Sequence, residues 1–178
     1  MMHVISFVGG SGSGKTTLIE RLIPIFKAQG LRVSYVKKTH HDIEVDYPGK
    51  DTWRMKQAGS FEVVLVSDAA MFLQRHFEQN FKMSVHQVLA QMYEGVDWIF
   101  VEGYKSSDLL KLEVIRSKDA LLNPLFPFDD FISAVACPSS SELKFETALP
   151  VLPLDSPEAI ADWLLQQQDR FIYEMPAA

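Results

Sequence analysis

Cysteine is almost absent: Cys137 stands alone among 178 residues, so no disulfide can form within the chain and a disulfide-stapled secreted scaffold is excluded. No apolar run approaches the roughly 18 to 20 residues that a membrane-spanning helix requires. The start of the chain lacks a basic segment followed by an apolar stretch and a cleavage site, which points to a cytoplasmic protein. Arginine is scarce and scattered, six in all, and the net charge is −6. That balance argues against a general affinity for nucleic acid, which rests on clustered Lys and Arg. Internal repeats, low-complexity tracts and Ser/Gly-rich linkers are also missing, so one domain over residues 1–178 is expected. What is present is ordinary for a globular protein: 47% hydrophobic and 22% charged residues.

Short apolar runs alternate with amphipathic stretches. His3 to Val8 predicts a buried strand. Thr17 to Gln29 predicts a helix, with Leu18, Leu22, Ile25 and Phe26 at helical spacing, a kink at Pro24 and an end at Gly30. Arg32 to Lys37 predicts a second strand, Asp51 to Ala58 a short helix, and Phe61 to Ser67 and Met71 to His76 two more strands, the last at an edge. Ser84 and Gln87 form a capping box for a helix through Tyr93, followed by a buried strand from Asp97 to Glu102. Leu110 to Arg116 and Phe131 to Ala136 are further strands. The Pro-broken segment between them, rich in aromatics, cannot be helical and offers a partner surface or ordinary packing. Ser156 caps a final helix with Pro157 at its first position. The alternation predicts an α/β fold, a mostly parallel twisted sheet with helices on both faces.

The decisive motif is Gly9-Gly10-Ser11-Gly12-Ser13-Gly14-Lys15-Thr16, a complete G-x-x-x-x-G-K-S/T between the first strand and the first helix. Such a loop turns successive backbone N–H groups toward phosphate oxygens, through dihedrals that a Cβ would obstruct. Lys15 is then placed for the β and γ phosphates, the Thr16 hydroxyl for a bridging Mg²⁺, and Thr17 for the α phosphate. This makes the expected fold P-loop NTPase-like. Mg²⁺ also needs a carboxylate opposite the hydroxyl, and Glu102, at the tip of the most apolar strand and before Gly103, is the candidate. The plain alternative for Glu102 is an ion pair with a nearby lysine.

A polar stretch from Lys37 to Asp51 follows the second strand, at the carboxyl edge where ligands of α/β sheets bind. Lys37, Lys38, His40, His41, Asp42, Asp46 and Asp51 fit a loop that orders around a γ phosphate, with an aspartate such as Asp51 positioning water. A solvated loop without a ligand is the plain alternative. The histidine pair lacks the cysteines of the usual zinc spacing, and Cys137 reads as a small buried apolar residue.

With GGSGSGKTT, VKKTHHDIEVDYPGKDTWRMKQAG and FVEGYK in this order and spacing, most of the chain resembles the molybdopterin-guanine dinucleotide biosynthesis adaptor (MobB) family. The resemblance implies a homodimeric GTP-binding protein and slow Mg²⁺-dependent GTPase. Such a protein works beside the nucleotidyltransferase that joins GMP to molybdopterin. Carried over by position, Gly9, Gly10, Ser11, Gly12, Ser13, Gly14, Lys15, Thr16 and Thr17 hold GTP and Mg²⁺. His40, His41, Asp42, Asp46 and Asp51 belong to the family's loop, and Glu102, Gly103 and Lys105 match its E-G-F/Y-K element. Molybdopterin is the further ligand implied. Two departures stand out. Cys137-Pro138 occupies the place of the family's Ser-Asp pair, and no N-K-x-D motif exists, so guanine would have to be read by backbone carbonyls. The loop also lacks the extra lysine of partition-type ATPases.

Two other readings compete. The same loop is similar to that of uridine-kinase-type enzymes, ATP-dependent small-molecule kinases, yet no Arg-rich lid stands between the later helices. A nucleotide-binding adaptor without meaningful hydrolysis is the other, consistent with the lack of an evident Arg finger or water-orienting Gln.

Overall fold

The structure, a computed structural model, describes residues 1–43, 45–79, 81–139, 143 and 145–175. Glu44, in the polar stretch singled out above, lies outside the described residues. In chain order the first elements are β1 (His3–Val8), α1 (Lys15–Ala28), β2 (Val33–Lys37), α2 (Asp51–Gln57), β3 (Glu62–Val66) and β4 (Met71–Arg75). They are followed by α3 (Val85–Leu89), β5 (Trp98–Glu102), β6 (Lys111–Val114), β7 (Ile132–Cys137), β8 (Val151–Pro153) and α4 (Pro157–Gln166). Single 3₁₀ turns cover Lys118–Leu122 and Gln168–Phe171. These residues divide into two compact units, Met1–Lys38 with Ser84–Ala178, and Thr39–Met83.

The first unit is a mixed α/β structure around a six-stranded sheet in the order β2-β5-β1-β6-β7-β8, with every neighbouring pair parallel. Helices cover both faces. Along β5 the side chains alternate: Trp98 and Phe100 join the core beneath α1 and α4, while Ile99 and Val101 join the one beneath α3. Every β5 residue is buried, which is why its run carries no polar alternation. Phe26 of α1 meets Trp98 and Phe100 edge-to-face, at centroid distances of 5.3 and 5.1 Å. Strand order reverses direction at β1, so the loop leaving β1 lies at the switch point of the sheet, where crossover connections diverge and leave a crevice.

Local expectations hold at most ends. α1 buries Leu18, Ile19, Leu22 and Phe26 and runs on through Pro24 to Ala28. Ser84 and Gln87 form both halves of their capping box, and Ser156 accepts from the Ala159 N–H with Pro157 at the first helical position. α3 stops at Leu89 rather than reaching Tyr93. Only Val85 and Leu89 are buried on it, so one turn of apolar spacing holds it to the sheet. β8 is an additional strand, three residues long and ending in Pro153. The segment around Pro124 and Pro127 forms turns, anchored where the Leu125 and Phe126 N–H groups donate to Glu113 at 2.8 and 2.7 Å.

The second unit holds α2 and a two-stranded antiparallel sheet of β3 and β4. These strands therefore do not extend the parallel sheet. Only the four residues Ser67–Ala70 separate them, enough for a hairpin but far too few for the crossover that parallel neighbours need. Ser67 Oγ accepts from the Ala70 N–H at 3.1 Å inside that turn. Glu62 and Arg75 face each other across the strands and pair at 2.7 Å.

Candidate functional site

Gly9 ends β1 with φ of +139°, and a Cβ placed there would lie 2.5 Å from the Val114 carbonyl oxygen. Only glycine lets the loop pass that close to β6. Gly12 and Gly14 also have positive φ, and Gly14, in the left-handed region, begins α1 with no side-chain cap. No acidic residue occupies the first turn of α1. The N–H groups of Gly12, Gly14, Lys15 and Thr16 make no hydrogen bond among the described residues. A helix N-terminus so arranged carries exposed donors and the positive end of its dipole, the combination that attracts an anion.

Lys15 folds its ammonium back over the loop, donating to the Gly10 carbonyl at 2.6 Å, to Ser13 Oγ at 3.2 Å and to the Gly9 carbonyl at 3.4 Å. Its pKa is lowered, chiefly by burial, with Glu102 opposing and the positive charges of Lys105 and Lys37 adding to the effect. Thr16, one residue on, donates its hydroxyl to the Glu102 carboxylate, 2.9 Å from Oε1 and 2.8 Å from Oε2. Glu102 ends β5, and its main chain is fixed on both sides: Lys38 N–H donates to the Glu102 carbonyl, and Gly103 N–H to the Phe7 carbonyl.

Glu102 also receives the Tyr35 hydroxyl at 2.6 Å and lies 3.5 Å from the Lys37 ammonium. Lys37 is its register partner across β2 and β5, which accounts for the ion pair. Burial disfavours the charged form, but hydrogen bonds from Tyr35 and Thr16 and the charges of Lys37 and Lys15 outweigh it, holding the carboxyl below its ordinary range. Conversely, burial and the Glu102 carboxylate push the Tyr35 hydroxyl well above its ordinary value. Both readings of Glu102 thus have a geometric counterpart, since it touches the loop threonine and a lysine together. Tyr35 was not singled out by the sequence, although it shares a strand face with Lys37 two residues later.

Beyond Glu102 the chain is strained. Gly103 has φ of +102°, and Tyr104, a bulky residue, has φ of +50°. The Lys38 ammonium lies 4.6 Å from the centroid of the Tyr104 ring. The structure therefore gathers Gly9 to Thr16, Lys37, Glu102, Gly103 and Lys105 in the first unit, with Thr17 following in the first turn of α1.

His40, His41, Asp42, Asp46 and Asp51 belong to the second unit. Asp46 Oδ1 accepts from the Tyr47 N–H at 2.8 Å, while its buried Oδ2 has no partner among the described residues. Asp51 lies in the first turn of α2, 3.7 Å from Arg54. No cluster of three or more His, Cys, Asp or Glu side chains forms among the described residues. Cys137 is half-buried rather than enclosed, with its thiol pushed up by burial and by the charge of Asp155. Among the described residues no helix is long and apolar enough to cross a membrane.

Comparison with known proteins finds relatives along most of the chain. The family model described as molybdopterin guanine dinucleotide synthesis protein B matches residues 4–138. The chain is 34% identical over 163 residues to the molybdopterin-guanine dinucleotide biosynthesis adapter protein of Haemophilus influenzae, covering 90% of this chain and 86% of that protein. It is 30% identical over 167 residues to the Escherichia coli protein of the same name, covering 93% of each. The crystal structure of a MobB homolog from Bacillus stearothermophilus superposes with a TM-score of 0.70 at 25% identity, covering 94% of this chain and 98% of that one. By its sequence over most of its length and by its fold, this chain belongs to the MobB family of molybdopterin-guanine dinucleotide biosynthesis adapter proteins.

Proposed function

We propose that this adapter protein binds GTP with Mg²⁺ through the loop from Gly9 to Thr16, in a P-loop NTPase-like manner, and hydrolyses it slowly. The observation that carries the reading is the meeting of Thr16 with Glu102, which puts a hydroxyl and an ionised carboxylate together at the start of α1. That oxygen pair suits a hard cation such as Mg²⁺, which prefers oxygen ligands and supplies charge to balance that of the β and γ phosphates. The exposed N–H groups of the loop would take the phosphate oxygens. Lys15, now satisfied by loop acceptors, has the reach and charge to face the terminal phosphates.

Tyr35 and Lys37 keep Glu102 ionised and oriented. Asp51 is proposed to position water, and His40, His41, Asp42 and Asp46 to order around the nucleotide, with Gly103 and Lys105 reporting the γ phosphate. Among the described residues no arginine makes a hydrogen bond or ion pair with Lys15 or Glu102, which fits slow turnover without a partner.

In this reading the chain is an accessory protein: molybdopterin is the group to be guanylated, and a nucleotidyltransferase is the partner that attaches GMP. A homodimer is part of the proposal. The hairpin of β3 and β4 leaves Val64, Leu65, Val66, Met71 and Leu73 exposed, and a two-stranded sheet of that kind is marginal until another surface covers it. The test is reconstitution. Adding the purified chain to a nucleotidyltransferase reaction with molybdopterin and GTP should raise the rate of guanine dinucleotide formation, and the same chain with Lys15→Ala should not. An equal effect of both would remove nucleotide binding from the account.

A further inference from the structure

The first unit contains a cavity of about 240 Å³ that begins at Gly14 and Thr17, where the phosphate loop hands over to α1. Leu18 and Leu154 give it apolar walls, and Arg21, Arg116 and Asp155 are its charged lining. The occupant of such a space would be continuous with anything held by the loop. Its apolar sides suit a heterocyclic ring, and the Arg116 guanidinium, which makes no hydrogen bond or ion pair among the described residues, is a planar cation beside Gly14 that could lie on one.

Asp155 is the side chain that can read an edge of that ring. Its Oδ1 accepts from both the N–H and the hydroxyl of Ser139, at 2.9 and 2.8 Å. Its Oδ2 makes no hydrogen bond among the described residues. The two Ser139 bonds lower its pKa, so the group is an anion with one committed and one open oxygen. Cys137 and Pro138, at the end of β7, bring no carboxylate of their own. The residue after Leu154 supplies one to the same cavity instead.

Guanine presents two adjacent donors, N1–H and the C2 amine, and both can face a carboxylate. Adenine presents an acceptor nitrogen at N1, which an anion repels, and hypoxanthine lacks the amine. We propose that Asp155 is the specificity-determining residue of this chain, its carboxylate reading the N1 and C2 donors of guanine while Arg116 covers a face of the base. The inference rests on the loop reading given above and adds the source of base choice.

Isothermal titration of the full chain with GTP, ITP and ATP, each with Mg²⁺, tests it. Wild-type protein should bind GTP about tenfold or more tightly than ITP, and ATP more weakly still, as expected when a built hydrogen bond is lost. Asp155→Asn keeps an Oδ1 for Ser139 but replaces the open acceptor by a donor. It should weaken GTP about 10- to 100-fold and strengthen XTP, whose C2 carbonyl accepts from that amide. Asp155→Ala should bring GTP and ATP to similar affinity. Wild-type protein that binds GTP, ITP and ATP equally, or variants that leave the GTP/ATP ratio unchanged, would overturn the role of Asp155 while the phosphate loop stands. Binding of none of them would overturn both.

Discussion

Thr16 and Glu102 lie 86 residues apart in the chain, yet the threonine hydroxyl donates to both carboxylate oxygens of the glutamate. Two adjacent parallel strands make this possible. β1 delivers the loop and the first turn of α1, and β5 ends beside it in a register that pairs Phe7 with Glu102. The account of function depends on what that meeting does, and Glu102→Gln examines it. Gln retains an acceptor for Thr16 and Tyr35 but removes the charge. Nucleotide binding should persist within a few-fold, while GTP hydrolysis in a phosphate-release assay should fall at least about tenfold. An unchanged hydrolysis rate would remove Glu102 from the metal role.

Lys15→Ala should abolish measurable binding of GTP, because the ammonium is the one lysine charge carried by the loop itself. Titration calorimetry reads this directly. The fold should be untouched, since the Lys15 hydrogen bonds are to its own loop, and circular dichroism should show no change.

Glu102 also ties stability to pH. Its carboxyl is held below the ordinary range in the folded chain, so ionised Glu102 contributes stability that is fully present above that range. The contribution is lost as pH falls through the lowered value. Thermal unfolding followed from neutral to acid pH should show a steeper acid decline in the wild type than in Glu102→Gln, and parallel curves would contradict the assignment.

Lys111 is fully buried in β6, donating to the Ser107 carbonyl and pairing with Asp129 at 2.9 Å. Asp129→Ala strands that ammonium in the core and should cost about 3–5 kcal/mol in denaturant unfolding. The double change Lys111→Met with Asp129→Leu removes both charges and should recover much of the loss.

Gly9→Ala places a Cβ against the Val114 carbonyl at a φ that side chains rarely adopt. Either β6 shifts or the loop moves. The variant should unfold at lower denaturant concentration and lose GTP affinity, whereas Gly10→Ala, which meets nothing within 4 Å, should be mild in both measurements.

The candidate site is legible in the sequence wherever the proposed chemistry demands a residue type at a fixed spacing. The glycines, lysine and threonine of the loop stand in the sequence as they stand in space, and Glu102 was legible because an acid ends an apolar run. Capping at Ser84 and Ser156 was equally readable, being a contact over three residues. Long-range choices were not. Strand propensity marks Glu62–Val66 and Met71–Arg75 as extended but does not say which sheet they enter, and their short connection decides for a separate hairpin. Tyr35 became a partner of Glu102 only through the register of β2 on β5. Asp155 follows β8, a three-residue strand ending in proline that propensity does not mark, so no local pattern signals that it lines the cavity beside Thr17.

The central claim is Mg²⁺-dependent binding of GTP by this loop, and titration of the purified chain with GTP, with and without Mg²⁺ and against ATP, tests it most directly. The account predicts saturable GTP binding that strengthens with Mg²⁺ and exceeds that of ATP. A clear preference for ATP, or no binding of either nucleotide, would contradict it.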